Sequence, residues 1–426
     1  MRSGSRSFVV STALLIALGA GLLPAAAASG PQAAGDEVVA PDGKAPEAFP
    51  SDRTLAAFQT ELLALAFEAA TAIPVQPHVK DRSRAQEVVV TAYLELDQPR
   101  RALDCLPEIA NWRRGTGFAD VAFYLAAHGS AAAAEAELEH ARQVVDDAAS
   151  GITQDWQRDR ILAKIARTQV QLGLAQPATP FGAGLAPSEA GELETAKAML
   201  LPVADFDAQM TSLDGVLATG DFDQVQNVLK VYARYFDRFY ADAERRTKLE
   251  ETVKASWGRL PIPVRVELLL DMARSAVEHA DDAHALELLD EMQLVLDGNR
   301  WAPEARIPLM ARLAALRDRA GAREAARHDA DAALALFGSE REAIVDIDRA
   351  GALRPLAEAY HSMGDTPAAL AVYATALREG ARNPNARPRA EDLSATCASM
   401  ARTGVEPDAA TRELIEHIRA GLGTPW

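Results

Sequence analysis

The sequence is poor in cysteine, in aromatic residues and in long apolar runs. Its 426 residues include two cysteines, Cys105 and Cys397, which excludes a disulfide framework and predicts buried structural thiols. Aromatic residues make up 6% of the chain although 49% of it is apolar, which favours close-packed helices over a large cavity lined with rings. The one long apolar run is residues 8–23, so no membrane span is predicted after it.

Motifs for catalysis and for cofactor binding are missing as well. The chain contains no GxSxG, no GxxxxGK[ST], no GxGxxG that follows a strand pattern, no HExxH and no paired CxxC. Carboxylates are so abundant that no particular pair of them predicts an acid and base. We therefore predict no catalytic residue, no metal site and no cofactor.

The N-terminus has the pattern of a secretory signal peptide. Arg2 and Arg6 precede the apolar run, and Pro24 and four alanines follow it, which predicts cleavage near Ala28. Loss of the two arginines takes the formal charge from −17 to −19. Because an exported chain with this net negative charge repels phosphates, we do not expect it to bind nucleic acid. Residues 29–52 are rich in Ala, Gly, Pro and Asp, and we expect a flexible linker there.

The strongest pattern in the remaining chain is a pair of helices in residues 349–377. Apolar residues recur at helical spacing on both sides of Gly364, which is expected to end the first helix, and Asp365 or Thr366 can cap the second. These stripes are Leu353, Leu356, Ala357 and Tyr360, then Ala369, Leu370, Tyr373, Ala376 and Leu377.

This spacing of small and aromatic residues resembles the tetratricopeptide repeat, a helix-turn-helix unit of 34 residues. Weaker copies recur along the chain, with predicted turns at Asp97, Gly129, Gly173, Gly220, Ala280, Gly321, Gly364 and Gly404. Their spacing drifts above 34 residues. The resemblance implies an all-α fold, a right-handed superhelix of about eight hairpins that spans residues 53–424. The Gly/Pro-rich stretch 174–187 is a possible hinge within it.

Three short stretches could carry chemistry but fit structural roles better. The first, with His279, Asp281, Asp282 and His284, could hold a divalent metal, but it falls on a predicted turn where an Asp caps the next helix. The second is a DFD sequence that occurs at 205–207 and again at 221–223, where Asp is expected to start a helix and Phe to pack beneath it. The third is the aromatic run 230–240, whose spacing fits a buried helix face.

The resemblance also implies a binding surface. In tetratricopeptide proteins the first helices of successive hairpins line the concave face, where partners bind. The positions that match this surface are Arg160, Arg167, Arg274, Arg319, Arg354, Glu358 and His361. Because arginines dominate the set, we expect a groove that suits an acidic segment.

We therefore expect an exported, non-catalytic scaffold, periplasmic or extracellular, that binds a protein or peptide through this groove. The alternative is an exported glycan-acting hydrolase or lyase with an α/α-toroid, which is also built from helical hairpins and needs an acid, a base and aromatic platforms for sugar rings. The five tryptophans lie mostly between the predicted hairpins, a placement that favours packing at repeat junctions.

The signal peptide generates a direct prediction. Exported protein should begin near Ser29 and lack the apolar run, because signal peptidase cleaves after small residues such as those at 25–28. N-terminal sequencing of exported material tests this. Membrane-bound protein that retains Met1 would contradict it.

Overall fold

In the computed structural model, which describes residues 49–173, 185–200 and 202–426, every regular element is a helix. This confirms the predicted all-α repeat architecture. The predicted signal peptide, most of the predicted linker and most of the possible hinge lie outside the described residues. Among the described helices, none is both long and apolar enough to cross a bilayer.

Eighteen α-helices occur in the described ranges, and they form two sets. Nine of them, called the inner helices, contact one another in sequence. They are α2 Val75–Glu95, α4 Arg113–Ala127, α6 Asp155–Gln171, α7 Pro187–Leu200, α9 Phe222–Arg238, α11 Ile262–Glu278, α13 Pro303–Arg319, α15 Asp346–Ser362 and α17 Ala386–Thr403. The others, called the outer helices, are α1 Ala57–Ala72, α3 Pro99–Cys105, α5 Ala131–Asp146, α8 Phe206–Thr219, α10 Ala243–Ala255, α12 Asp282–Asp297, α14 Arg323–Glu340, α16 Thr366–Ala381 and α18 Ala409–Ala420.

The hairpin turns follow one design. Gly364 is left-handed, with φ 81°, and the backbone N–H of Asp365 donates to the carbonyl of Tyr360 at 2.9 Å, which is the helix-ending bond of a Schellman motif. Six further predicted turn residues also have positive φ: Asp97, Gly129, Gly173, Ala280, Gly321 and Gly404. The left-handed conformation is unfavourable for alanine, so Ala280 is strained where most of its counterparts are glycine.

The turn at Gly220 is the exception, with φ −68°. Here the backbone N–H of Asp221 donates to the side chain of Gln224, and the Asp221 carboxylate accepts from the Gln224 N–H at 2.9 Å. This capping box starts α9 directly and uses the donor that would otherwise close the Schellman turn.

The second DFD copy thus caps its helix as predicted, but Phe222 does not pack beneath it and is 48% exposed. In the first copy the Phe packs as predicted, but the Asp does not cap the helix. Asp205 makes no side-chain capping bond, whereas Phe206 is buried against Tyr235 and Phe239. The prediction of a buried Phe is therefore wrong for Phe222.

The inner helices close on themselves. Contacts run from α2 through each inner helix to α17, and α17 packs on α2 again. The first helix, α1, lies along α17. It occupies the position beside α17 that an outer helix occupies beside the other inner helices. The sequence analysis did not anticipate this closure, because nothing in a repeat pattern states whether the two ends of the array meet.

Apolar packing and polar contacts both hold the seam between α1 and α17. Leu63 and Ala66 of α1 have no exposed surface, and they share one apolar cluster with Cys397 and Ala401 of α17. The side chain of Gln59 donates to the carbonyl of Ala401 at 2.8 Å. The seam therefore joins segments that lie more than 300 residues apart in the sequence.

Ion pairs surround the seam on the outside. Glu61 and Glu68 of α1 pair with Arg412 and Arg419 of α18, at 3.2 and 3.0 Å. These side chains are largely exposed, so each pair contributes only a few tenths of a kcal/mol to about 1 kcal/mol. The buried apolar contacts are the main source of stability at the seam.

Truncation within the seam should loosen both ends of the chain. Leu63→Ala removes a buried side chain and should lower the free energy of unfolding by about 2–5 kcal/mol. Hydrogen exchange should then rise in α17 as well as in α1. Leu294→Ala is the control because Leu294 is 73% exposed. Faster exchange confined to α1 would contradict the closure.

Candidate binding surface on the inner helices

Each inner helix turns one stripe of side chains away from the outer helices. In α9, Tyr232 and Phe236 are buried. A helix advances 100° per residue, so Lys230 and Arg234 lie on the opposite side. Both side chains are exposed. We call the surface formed by these stripes the inner face.

All seven predicted binding residues lie on inner helices, and each has a partner within the chain. Arg160 and Arg167 are on α6, Arg274 is on α11, Arg319 ends α13, and the other three are on α15. The partners are Glu189 for Arg160, Asp120 and Glu192 for Arg167, Asp271 for Arg274, Glu278 for Arg319, Asp392 for Arg354, Ser399 and Arg402 for Glu358, and Thr366 for His361.

The arginines of α6 show how tightly these pairs are built. Arg160 donates two hydrogen bonds to the carboxylate of Glu189, at 2.7 and 3.1 Å. Arg167 lies 3.9 Å from the centre of the Phe123 ring and 2.9 Å from Asp120. Bidentate and stacked guanidinium groups are strongly fixed. These side chains brace neighbouring helices, and their role in binding a partner stays a prediction.

Similar pairs connect other neighbouring inner helices. Glu267 of α11 accepts two hydrogen bonds from Arg312 of α13, at 2.6 and 2.8 Å. Arg354 of α15 reaches Asp392 of α17 at 3.1 Å, and burial raises the pKa of that carboxyl although Arg354 opposes the shift. Removing one partner of such a pair leaves a poorly solvated charge. A positive charge on these arginines is thus largely offset by carboxylates of the chain.

Two cationic side chains of α9, Lys230 and Arg234, differ from this pattern. Among the described residues, neither Lys230 nor Arg234 has a hydrogen-bond or ion-pair partner. Arg234 is near enough to Asp271 of α11 to affect its titration: burial raises the pKa of Asp271, while Arg274 and Arg234 lower it. The inner face beside α9 therefore combines unpaired cations with a carboxylate that is poorly solvated.

The aromatic run that contains these two residues is a core element, as predicted. Tyr232, Tyr235, Phe236, Phe239 and Tyr240 are all buried. The sequence analysis concentrated on the aromatic side and did not select Lys230 or Arg234. The sequence did contain a signal for them: Lys230 and Arg234 are four residues apart and therefore share one face of the helix, opposite the aromatic residues.

The candidate metal cluster is a helix cap, as predicted. Asp281 accepts a hydrogen bond from the backbone N–H of His284 at 3.3 Å and another from the hydroxyl of Tyr240 at 2.9 Å. His279 instead faces Asp237, at 3.1 Å. No group of three His, Cys, Asp or Glu side chains in the described ranges is arranged to hold a metal ion.

His284 belongs to a network between α10 and α12. Its Nε2 is 3.0 Å from Glu250, and Lys254 is 2.8 Å from both Glu250 and Glu291. Burial raises the pKa of Glu250, but the contacts with His284 and Lys254 outweigh this and lower it from 4.5 to about 2. The contact with Glu250 also raises the pKa of His284.

The cysteines and tryptophans have the expected structural roles. Cys105 and Cys397 are free and buried, and burial raises the pKa of each thiol to about 12, so both stay protonated. Because the array closes, both belong to one apolar cluster. Four of the tryptophans, Trp112, Trp156, Trp257 and Trp301, lie just before or at the beginning of inner helices. The fifth, Trp426, packs near the start of α17.

The network predicts a defined pH window. Glu250 stabilises the fold above its unfolded pKa of about 4.5, and this contribution is lost as the pH falls towards 2. The raised pKa of His284 stabilises the fold below about 6.5, and its contribution is lost as the pH rises through the folded value. Glu250→Gln should therefore cost most between pH 4.5 and 6.5, about 1–3 kcal/mol.

Urea unfolding across the pH range measures this cost, with Glu251→Gln as the control because Glu251 is exposed. The cost should vanish near pH 2 and shrink above pH 6.5 to the part that Lys254 supplies. A cost that does not change with pH would contradict the network.

Comparison with protein-family models, with curated proteins and with solved structures found no significant match. The resemblance to tetratricopeptide repeats therefore concerns the helical hairpins and their turns. Any function has to be argued from the geometry of the inner face.

Proposed function

We propose that the protein is an exported, non-catalytic scaffold that binds a protein partner through the inner face. The observation that supports this most is the composition of that face. Long charged side chains of both signs project from successive inner helices, and many of them are partly exposed. A surface of this kind offers many hydrogen-bonding groups in fixed positions, which suits recognition of another polypeptide.

The framework beneath this face favours binding without large rearrangement. Each hairpin is closed by a defined turn, and ion pairs join neighbouring inner helices, as Glu267 and Arg312 do. The ends of the array are held together at the α1–α17 seam. A fixed surface lowers the entropy cost of association.

Export is the second part of the proposal. It rests on the signal-peptide pattern of residues 1–28. A charged helical array outside the cytoplasm is compatible with a role in assembling or presenting envelope proteins. Its partner is a protein or peptide and not nucleic acid, given the acidity of the chain.

The scaffold proposal can be tested by site-specific photocrosslinking in the source cells. A photoreactive amino acid in place of Arg274, on the inner face, should give a covalent adduct with one exported protein. The same substitution at Arg378, an exposed residue of the outer helix α16, is the control. Arg354 is less suitable because its partner Asp392 is only 9% exposed, whereas Asp271, the partner of Arg274, is 25% exposed and better solvated when its partner is removed. Equal adducts from both positions, or none from Arg274, would refute the proposal.

A glycan-acting enzyme is a second candidate, because the closed circuit of inner helices is the arrangement that an α/α-toroid requires. Asp348 of α15 is a possible acid, since burial and Glu304 both raise the pKa of its carboxyl. A general acid needs a raised pKa. Release of reducing ends from a panel of polysaccharides, abolished by Asp348→Asn, would support this candidate. No release would leave the scaffold proposal.

A further inference from the structure

Two cations on the inner face of α9 lack the partners that the neighbouring cations have. The inner face beside α9 is framed on one side by α7, where Asn227 lies against Gly191, and on the other by the end of α11, where His279, the residue after the helix, contacts Asp237. Lys230 and Arg234 project between these two contacts, by the helical geometry of α9. Both are exposed, and no described carboxylate pairs with either of them.

This arrangement carries an electrostatic cost. Like charges four residues apart on a helix repel each other and destabilise it. Elsewhere on the inner face the chain supplies carboxylates, as Asp120 does for Arg167 and Glu267 for Arg312. At α9 no carboxylate forms a direct ion pair with Lys230 or Arg234, although Arg234 helps to lower the pKa of Asp271, so both side chains remain accessible to groups outside the chain.

The spacing of the two side chains restricts what can neutralise both. Four residues of α-helix rise by about 6 Å. In an extended peptide, alternate side chains point the same way and are about 6.6 Å apart. Carboxylates at alternate positions of an extended segment therefore match Lys230 and Arg234 one to one.

The surroundings favour a peptide over a polyanion. The cations of the neighbouring inner helices are already paired with carboxylates, as Arg167 is with Glu192 and Arg274 with Asp271, so they offer little free positive charge to a polymer with charge on every unit. The aromatic rings of α9 are buried and offer no platform to a sugar. A peptide can place neutral or basic residues against the flanking carboxylates.

We propose that Lys230 and Arg234 bind an extended acidic segment of a protein partner, with Asp or Glu at alternate residues. This rests on the proposed scaffold function and names the chemistry of its partner. The guanidinium of Arg234 supplies a planar pair of donors to one carboxylate, and the ammonium of Lys230 supplies a point charge to the next.

The test uses the full mature chain and a fluorescein-labelled peptide in which glutamate alternates with glycine. Fluorescence anisotropy should detect binding that weakens with added salt. The variant Lys230→Gln with Arg234→Gln should weaken it by about tenfold or more, because it removes both charged hydrogen-bond donors. The melting temperature should stay nearly unchanged, since the replaced side chains are exposed and unpaired.

The matched control is Lys248→Gln with Arg378→Gln, two exposed cations of outer helices, which changes the net charge equally. A peptide of the same composition with its glutamates in one block should bind more weakly than the alternating one. The proposal is overturned if the wild-type chain does not bind the alternating peptide, or if the control variant loses as much affinity. It is also overturned if an oligogalacturonate displaces the peptide as well as unlabelled peptide does. Crosslinking at Arg274 reports separately on the scaffold function, so an adduct there without peptide binding would refute this inference alone.

Discussion

The packing of α1 against α17 is the contact on which the array depends most. A helical hairpin has two apolar faces, and in an open array the terminal hairpins leave one face uncovered. Here the first helix covers the last inner helix, so neither Leu63 nor Cys397 meets water. One contact thus removes both exposed ends. It also couples the two ends of the chain, because the partner helix of α17 comes from the beginning of the sequence.

Within the array, side-chain hydrogen bonds fix neighbouring helices relative to one another. A tyrosine hydroxyl on or just after an inner helix donates to an aspartate of another element in four places, at 2.7–3.1 Å. These pairs are Tyr124 with Asp97, Tyr232 with Asp214, Tyr240 with Asp281 and Tyr360 with Asp331. Two of the aspartates, Asp97 and Asp281, lie at a left-handed turn or beside one, so the turn that ends one inner helix also orients a neighbouring one. Burial and the neighbouring carboxylate keep the Tyr360 hydroxyl protonated by raising its pKa, which preserves the donor.

Local structure could be predicted from the sequence to the extent that local chemistry determines it. Positions such as Gly364 and Asp97 were identified because a helix end needs a residue that tolerates positive φ. Gly220 was assigned to the same class, but its neighbour Gln224 completes a capping box and changes the turn. The predicted burial of Phe222 was wrong for a similar reason. Its exposure depends on which helix packs next to it, and this is a property of the tertiary structure.

The candidate site was harder to predict because a charged side chain on a helix surface can either pair with another residue of the chain or bind a partner. The arginines selected by analogy with tetratricopeptide repeats do lie on inner helices, yet the sequence could not show that Asp120 or Asp392 faces them from other helices. A cation that is already paired within the chain can bind a partner only by giving up that contact, which costs most where the carboxylate left behind is buried, as Asp392 is. Lys230 and Arg234 carry no such cost. On a face where both signs of charge are abundant, a binding site is therefore marked by the local imbalance of charge, and that imbalance is visible only once the helices are placed side by side.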